Sequence, residues 1–411
     1  MLSNPVYDPF VILTKIYSDG THVKQAIADT YIEEQNRART VKIVYGVLEN
    51  DGYLDFCIRY YAPKNPKLAV RTILKIALYM LLFMDKKRYM VTDLAVTLCK
   101  KLGKSGVSSF VNAFLRRFDK GAVDSALPNG DDGKAIALSY PLYAYKRLKK
   151  EYGARADDIA KAVSLGVSVR FERDAEQYLQ KPHIKTPFEN NYIFEKFVRD
   201  DKFDDGAYTF QSVGSIAICD VVAPCENFLD ACSAPGGKSV LLSKKCGQIT
   251  AFELHEHRLE LIKQYQARMG VENITPLQKD SSVYDETYKE QFDGVLCDVP
   301  CSGFGTVSEN PDIKLFRKEE DFNALALSQS AILDTCSKYV KKGGALYYST
   351  CSLFEEENDS IVGKFLKTHP EFICQEIGSP LVHDKKQYGL QFLPDTAFGA
   401  GFYVSKMVRA K

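Results

Sequence analysis

No Cys-x-x-Cys pair occurs among the 11 cysteines of this 411-residue chain. Scattered thiols of that kind argue for a reduced protein, and neither a disulfide framework nor a metal site is expected. The opening residues, MLSNPVYDPF, contain no basic region followed by an apolar run. No signal peptide is therefore expected, and the chain reads as cytoplasmic. Long apolar stretches are missing too. The most apolar window, ILKIALYMLLFM at 73–84, is too short to span a bilayer, carries Lys75 and runs directly into DKKR. It reads as a buried core helix, which leaves no expected membrane partner.

Net charge is almost absent at +1, yet the charge is unevenly placed. Residues 1–120 hold 19 Lys and Arg against 11 Asp and Glu, a net of +8, and the remainder, with 35 against 42, carries −7. A basic module joined to an acidic one suggests that the first meets a polyanion. The hydrophobic and charged fractions, 45% and 26%, are those of an ordinary globular protein with room for two or three cores.

Periodicity divides the chain in three. From Pro5 to Phe118 apolar residues recur at threes and fours, in PFVILTKIY, THVKQAIADTY, TVKIVYGVLENDGYLDFCIRYY, PKLAVRTILKIALYMLLFM, MVTDLAVTLCKKLG and SGVSSFVNAFLRRF. This predicts an all-α bundle over residues 1–125. The stretch GAVDSALPNGDDG (121–133) breaks the pattern and reads as a linker. Residues 134–208 mix a helical segment with the alternating VSVRFER and NYIFEKFVR, which predicts a small α+β insert. From 209 to 411 helical segments alternate with NFLDACS, QITAFEL, FDGVLCDV and GALYYST, the pattern of a doubly wound, mainly parallel sheet. Ligands of such sheets bind at the carboxyl ends of the strands.

The loops at those ends carry the chemistry. In LDACSAPGGKS (229–239), Gly236 and Gly237 allow a tight turn and a close approach to a ligand before a helix begins. The loop is neither a Gly-x-x-x-x-Gly-Lys phosphate loop nor a Gly-x-Gly-x-x-Gly dinucleotide fingerprint. Glu253 ends the next strand, placed to accept from ribose hydroxyls, and Asp280 follows, placed to accept from an adenine amino group. Asp298 ends the strand after that, so Asp230, Glu253, Asp280 and Asp298 stand at four successive strand ends. Such a set fits an adenosine-containing cofactor with a cationic group, S-adenosyl-L-methionine rather than a dinucleotide. Cys301 and Cys351 then stand just past two strands, in DVPCSG and YYSTCS.

Three segments, DACSAPGGKS, DVPCSGFGTVSENPDIK and YYSTCS, together resemble the RNA 5-methylcytosine methyltransferases of the Sun/Fmu (Nol/Nop/Sun) family. YTFQSVGSIAICDVVAP and FLPDTAFGAGFYVSKMVR are similar to that family's flanking segments, and TVKIVYGVLENDGYLD with SSFVNAFLRRF resembles a NusB-type helical domain. The chain departs from the family's usual motifs at Ser233, Ser239, Glu253 and Val299, and VSVRFERD lacks the usual Arg-Val-Asn. The resemblance implies a Rossmann-like class I methyltransferase domain behind a NusB-like RNA-binding bundle and a small RNA-binding insert. It implies that Cys232, Ser233, Ala234, Pro235, Gly236, Gly237, Lys238, Glu253, Asp280 and Asp298 line the S-adenosyl-L-methionine site. It further implies that Cys351 is the nucleophile, that Cys301 assists release, and that Asp298 holds the cytosine edge. The expected partner is 16S rRNA, naked or partly assembled, met by a monomer; transfer RNA is the alternative.

The chemistry explains a need for two thiols. Carbon 5 of cytosine is a poor nucleophile until a thiolate adds to carbon 6, and the thiolate must afterwards be expelled. Enzymes that methylate exocyclic amines instead place an aromatic residue where Cys301 stands. A non-catalytic RNA-binding assembly factor is the remaining alternative, and the paired cysteines disfavour it.

Overall fold

The computed structural model describes residues 4–62 and 64–410. The chain forms two compact units, Met1–Lys150 with Asn310–Arg317, and Glu151–Glu309 with Lys318–Lys411.

The first unit is helical. It contains α1 (Tyr7–Asp19), α2 (Val23–Ala28), α3 (Glu34–Glu49), α4 (Asp51–Tyr61), α5 (Leu68–Leu82), α6 (Arg88–Lys101), α7 (Ser108–Arg117), α8 (Lys120–Ser125), α9 (Gly130–Ala137) and most of α10 (Leu142–Tyr152). Ile12, Leu13, Ile43, Val47, Leu54, Ile58, Leu74 and Leu78 are fully buried in its core, each contributing about 1.5–3 kcal/mol by leaving water. The apolar window at 73–84 is indeed a core helix, and Lys75 within it is neutralised. Its ammonium lies 2.6 Å from Asp51 and 3.7 Å from Asp55, and the Tyr17 hydroxyl donates to Asp51 at 2.5 Å. Among the described residues no helix is long and apolar enough to cross a membrane.

The expected linker at 121–133 does not behave as one. Asp119 accepts from the backbone of Gly121 and Ala122 and starts α8. Tyr53 then donates from its hydroxyl to Asp124 and from its backbone to Ser139. Glycine and aspartate content suggested a loop, but capping and tertiary hydrogen bonds override that preference. The helical unit consequently runs to Lys150 rather than ending near 125, and it takes the helices at the start of the expected 134–208 insert.

The second unit begins with α11 (Ala156–Lys161) and a small antiparallel sheet of order β2-β3-β1-β4, formed by β1 (Val167–Phe171), β2 (His183–Lys185), β3 (Asn191–Phe194) and β4 (Tyr208–Phe210). The short α12 (Asp201–Asp204) lies before β4, and the core of this layer is aromatic, with Phe171, Tyr178, Phe194 and Tyr208 buried.

After α13 (Val213–Val221) come β5 (Cys225–Asp230), α14 (Gly237–Leu242), β6 (Cys246–Glu253), α15 (Glu256–Arg268), β7 (Ile274–Gln278) and β8 (Phe292–Asp298). The chain visits the first unit through α16 (Ile313–Phe316) and returns with α17 (Asp321–Ser337) and β9 (Val340–Thr350). It closes with α18 (Asp359–Thr368), β10 (Phe372–Gln375), β11 (Asp384–Lys385), β12 (Gly389–Phe392) and β13 (Phe402–Arg409). These strands form one sheet of order β11-β12-β13-β9-β8-β5-β6-β7, with β10 paired to β13. The five strands β5 to β9 are mutually parallel, and those from β10 onward are antiparallel. One apolar cluster covers each face of the sheet. Because the chain leaves β5 toward β6 and β7 and then comes back to β8 on its other side, the sheet has a switch point at the carboxyl ends of β5 and β8.

Candidate active site

Parallel pairing brings the sequence-predicted residues to one edge of the sheet. Asp230 ends β5, Glu253 ends β6, Asp280 lies two residues beyond β7, Asp298 ends β8 and Cys351 directly follows β9. The register of β8 on β9 sets Asp298 beside Ser349, and the Ser349 hydroxyl donates to Asp298 Oδ1 at 2.6 Å.

The loop after β5 is tightly held. Ser233 donates from both its backbone and its hydroxyl to the Phe252 carbonyl, at 3.0 and 2.9 Å, and its own carbonyl accepts from Gly236 at 2.7 Å. Gly236 has φ of +102°, a conformation that side chains disfavour, so the turn before α14 calls for glycine there. Cys232, Ser233, Ala234, Pro235, Gly236 and Gly237 thus form one ordered turn between β5 and α14. Arg258, reaching from α15, donates to the Ala234 carbonyl at 3.3 Å and lies 3.5 Å from Glu253.

Acidic groups along this edge keep unused acceptors. Buried Glu253 takes the backbone N–H of His255 on Oε1 at 3.0 Å, and its Oε2 meets no partner among the described residues. Asp280 holds the Ser282 backbone and hydroxyl on Oδ1 at 2.9 and 2.6 Å, and its Oδ2 has no hydrogen-bond partner among the described residues. Asp230 accepts from Ser239 Oγ on Oδ2 at 2.6 Å, while its buried Oδ1 has no hydrogen-bond partner among the described residues. Burial pushes the Asp230 carboxyl up to about 6, against the opposing effect of the Ser239 hydroxyl.

Lys238 does not point to the open edge as an isolated cation. Its ammonium lies 2.6 Å from Asp298 Oδ2, which holds Lys238 protonated against the effect of its burial. Asp298, expected to hold the cytosine edge, is paired with Lys238 and Ser349.

The two thiols converge. Cys301 Sγ and Cys351 Sγ are 2.9 Å apart, neither forms a disulfide, and the Cys351 backbone N–H donates to Cys301 Sγ at 3.2 Å. The hydrogen bond to Cys351, followed by burial, pushes the Cys301 thiol well up. Gly305 and Gly401 allow the surrounding loops to close: Gly305 donates to the Cys351 carbonyl at 2.9 Å, and Gly401 donates to the Gly305 carbonyl at 2.6 Å. A Cβ on Gly305 would stand 2.0 Å from the Gly401 carbonyl oxygen, so the contact requires its absence. Of the other cysteines in this unit, Cys219, Cys246, Cys297 and Cys336 are buried, whereas Cys225 and Cys374 are half-buried.

Several residues that hold the site were not legible beforehand. Ser349 supports Asp298. Glu357 and Asn358, past the end of β9, and Gln329 of α17 bind the backbones and hydroxyls around both cysteines. Glu357 and Asn358 close the acidic run EEEN, and only their position six and seven residues after the strand-end Cys351 could have marked them.

Comparison with known proteins gives consistent results. The family description 16S rRNA methyltransferase RsmB/F matches residues 221–408, and the NusB family matches residues 11–120. A Bacillus subtilis protein named probable ribosomal RNA small subunit methyltransferase B is 31% identical, over 94% of this chain and 93% of its own length. Its namesake from Serratia proteamaculans is 27% identical over 92% of each chain. Among solved structures, that of PH0851 is similar with a TM-score of 0.83 at 21% identity and 99% coverage of both chains. A methyltransferase homolog from Pyrococcus horikoshii has a TM-score of 0.58 at 23% identity, covering 67% of this chain and 97% of its own. These two likenesses concern the fold.

Proposed function

The chain belongs to the ribosomal RNA small subunit methyltransferase B family, and we propose that it methylates carbon 5 of a cytosine in 16S rRNA, with S-adenosyl-L-methionine as methyl donor. The observation that carries this reading is the pair of cysteine sulfurs, 2.9 Å apart, at the carboxyl edge of the sheet where β8 ends in Asp298.

The residues along that edge fit the donor. Glu253 Oε2 and Asp280 Oδ2 are acceptors without partners among the described residues, suited to ribose hydroxyls and an adenine amino group, and the 232–238 turn would hold the amino-acid portion. When bound, the cofactor supplies an electrophilic methyl group on a sulfonium sulfur.

Cys351 Sγ adds to carbon 6 of the ring, forming a carbon–sulfur bond and giving carbon 5 enamine character. After methylation carbon 5 gives up its proton to solvent, the electron pair of that bond re-forms the 5,6 double bond, and the sulfur leaves carbon 6 with its bonding electron pair and regains a proton. Cys301, kept protonated by its surroundings, is within proton-transfer distance of Cys351 Sγ and assists release. Asp298 accepts from the cytosine amino group while Lys238 donates to nitrogen 3. Uracil reverses both groups, so the same pair rejects it.

The basic helical unit and the small sheet at 167–210 serve as RNA contacts in this reading. A groove of the helical unit lined by Arg88, Tyr89, Lys100, Asn112 and Arg116 offers cations and an exposed aromatic ring to a polyanion. The direct test is transfer from methyl-labelled S-adenosyl-L-methionine, followed by bisulfite sequencing of ribosomal and transfer RNA from cells with and without this gene. Label on a 16S rRNA cytosine is expected. No transfer to any RNA would overturn the assignment, and label on transfer RNA alone would move the substrate.

A further inference from the structure

We propose that Glu357 is a positioning residue of the thiol pair, its buried carboxylate tying the loop after Cys301 to the loop after Cys351. The role rests on the reading of the two thiols given above.

Glu357 is fully buried, in a sequence whose two preceding glutamates are not. Three donors converge on its carboxylate: the Ser302 backbone N–H at 2.7 Å, Gln329 Nε2 at 3.0 Å and the Ser352 hydroxyl at 2.5 Å. Ser302 follows Cys301 and Ser352 follows Cys351, so one side chain grips the neighbour of each thiol. Gln329 Nε2 also donates to the Pro300 carbonyl at 2.9 Å, and Cys301 is thereby held from both sides. Asn358 does the same for Cys351: it accepts from Thr350 Oγ1 at 2.6 Å and donates to the Ser352 carbonyl at 3.2 Å. The backbone is fixed as well, since Tyr348 donates from its hydroxyl to the Glu357 carbonyl at 2.6 Å.

A carboxylate is the group that suits this position, because it accepts on both oxygens and donates on neither. Glutamine would turn its amide NH2 toward an N–H or O–H donor and strand a buried polar group. The fixed negative charge has a second effect. Ionisable groups acting on Cys301 include Cys351, Glu357 and the Tyr348 hydroxyl, and the Glu357 charge opposes ionisation of the Cys301 thiol. A protonated Cys301 is what a donor toward Cys351 Sγ must be.

The test uses the full chain without RNA or cofactor. Iodoacetamide labelling is followed by peptide-resolved mass spectrometry from pH 6.5 to 10, with Cys219, buried in the core of the same unit and outside the Glu357 hydrogen-bond set, reporting any general loosening. Glu357→Gln is expected to raise the rate at Cys301 at least tenfold relative to Cys219 and to move its pH midpoint down. Equal acceleration of both cysteines, or an unchanged ratio, would overturn the proposal. Should Glu357→Gln not fold, Ser352→Ala removes a single donor; the Cys351 rate is expected to rise at least threefold relative to Cys219, and no change would overturn the proposal. In methyl transfer, Glu357→Gln should lower kcat at least tenfold with the cofactor KM within twofold. Absence of transfer by the unmodified protein would sink the enzymatic reading, whereas the labelling ratio would still judge Glu357.

Discussion

Alanine at Gly305 should damage the thiol site through backbone alone. A Cβ there would lie 2.0 Å from the Gly401 oxygen, 2.6 Å from the Gly401 carbonyl carbon and 2.8 Å from the Cys351 oxygen. None of these atoms belongs to a side chain that could swing aside. Restoring an ordinary contact of 3.4 Å requires a displacement of about 1.4 Å. Such a shift breaks the bonds from Gly305 to Cys351 and from Gly401 to Gly305, at 2.9 and 2.6 Å. Two unmade buried bonds cost about 1–3 kcal/mol each, and overpacking adds about 1–3, so a loss of about 3–9 kcal/mol is expected. For a unit of this size that corresponds to a fall in Tm of about 10 °C or more. Gly106→Ala is the control, since nothing lies within 4 Å of its Cβ position, and it should stay within about 0.5 kcal/mol of the parent. Calorimetry on both variants decides the matter. A Gly305→Ala protein melting within about 2 °C of the parent would refute the steric argument.

Other perturbations test separate parts of the structure. Lys75→Met leaves Asp51 buried against Tyr17 without its cation, whereas Asp55 keeps Arg71 at 2.5 Å. A loss of about 3–5 kcal/mol in denaturant unfolding is expected, with partial recovery when Asp51→Asn is added. Asp230 titrates near 6 in the folded protein, above the ordinary value of about 3.9, so the native state binds that proton more tightly than the unfolded chain. The resulting stability is full below pH ~4 and lost as pH rises through 6, about 2–3 kcal/mol in all. Asp230→Asn should flatten this dependence in urea titrations, and parallel curves for variant and parent would contradict it. RNA affinity should fall steeply with salt. Lys100→Gln and Arg116→Gln in the helical groove should each reduce the salt slope by about one, and unaltered slopes would exclude that groove.

Legibility in the sequence followed how local each determinant is. The helical segments of the first unit carried a strong 3.6-residue period, and the core residues Ile43, Val47, Leu74 and Leu78 lie on it. Strand ends were equally readable, because Asp230, Glu253, Asp298 and Cys351 each close an apolar run. The 121–133 segment misled because its glycines and aspartates signal a loop, while Asp119 as a cap and Tyr53 as a distant partner make it helical. The interior of the site was hidden for a related reason. Lys238 meets Asp298 across 60 residues, and Glu357 meets Ser302 across 55. No periodicity reports such pairings; they follow from the parallel order of β5, β8 and β9.

The central claim is that Cys351 attacks and Cys301 releases. Cys301→Ala, incubated with 16S rRNA and S-adenosyl-L-methionine, should accumulate a covalent protein–RNA adduct that runs as a retarded band on a denaturing gel. Cys351→Ala and the double variant should give neither adduct nor methylated product. An adduct trapped by Cys351→Ala instead would contradict the account and exchange the roles of the two thiols.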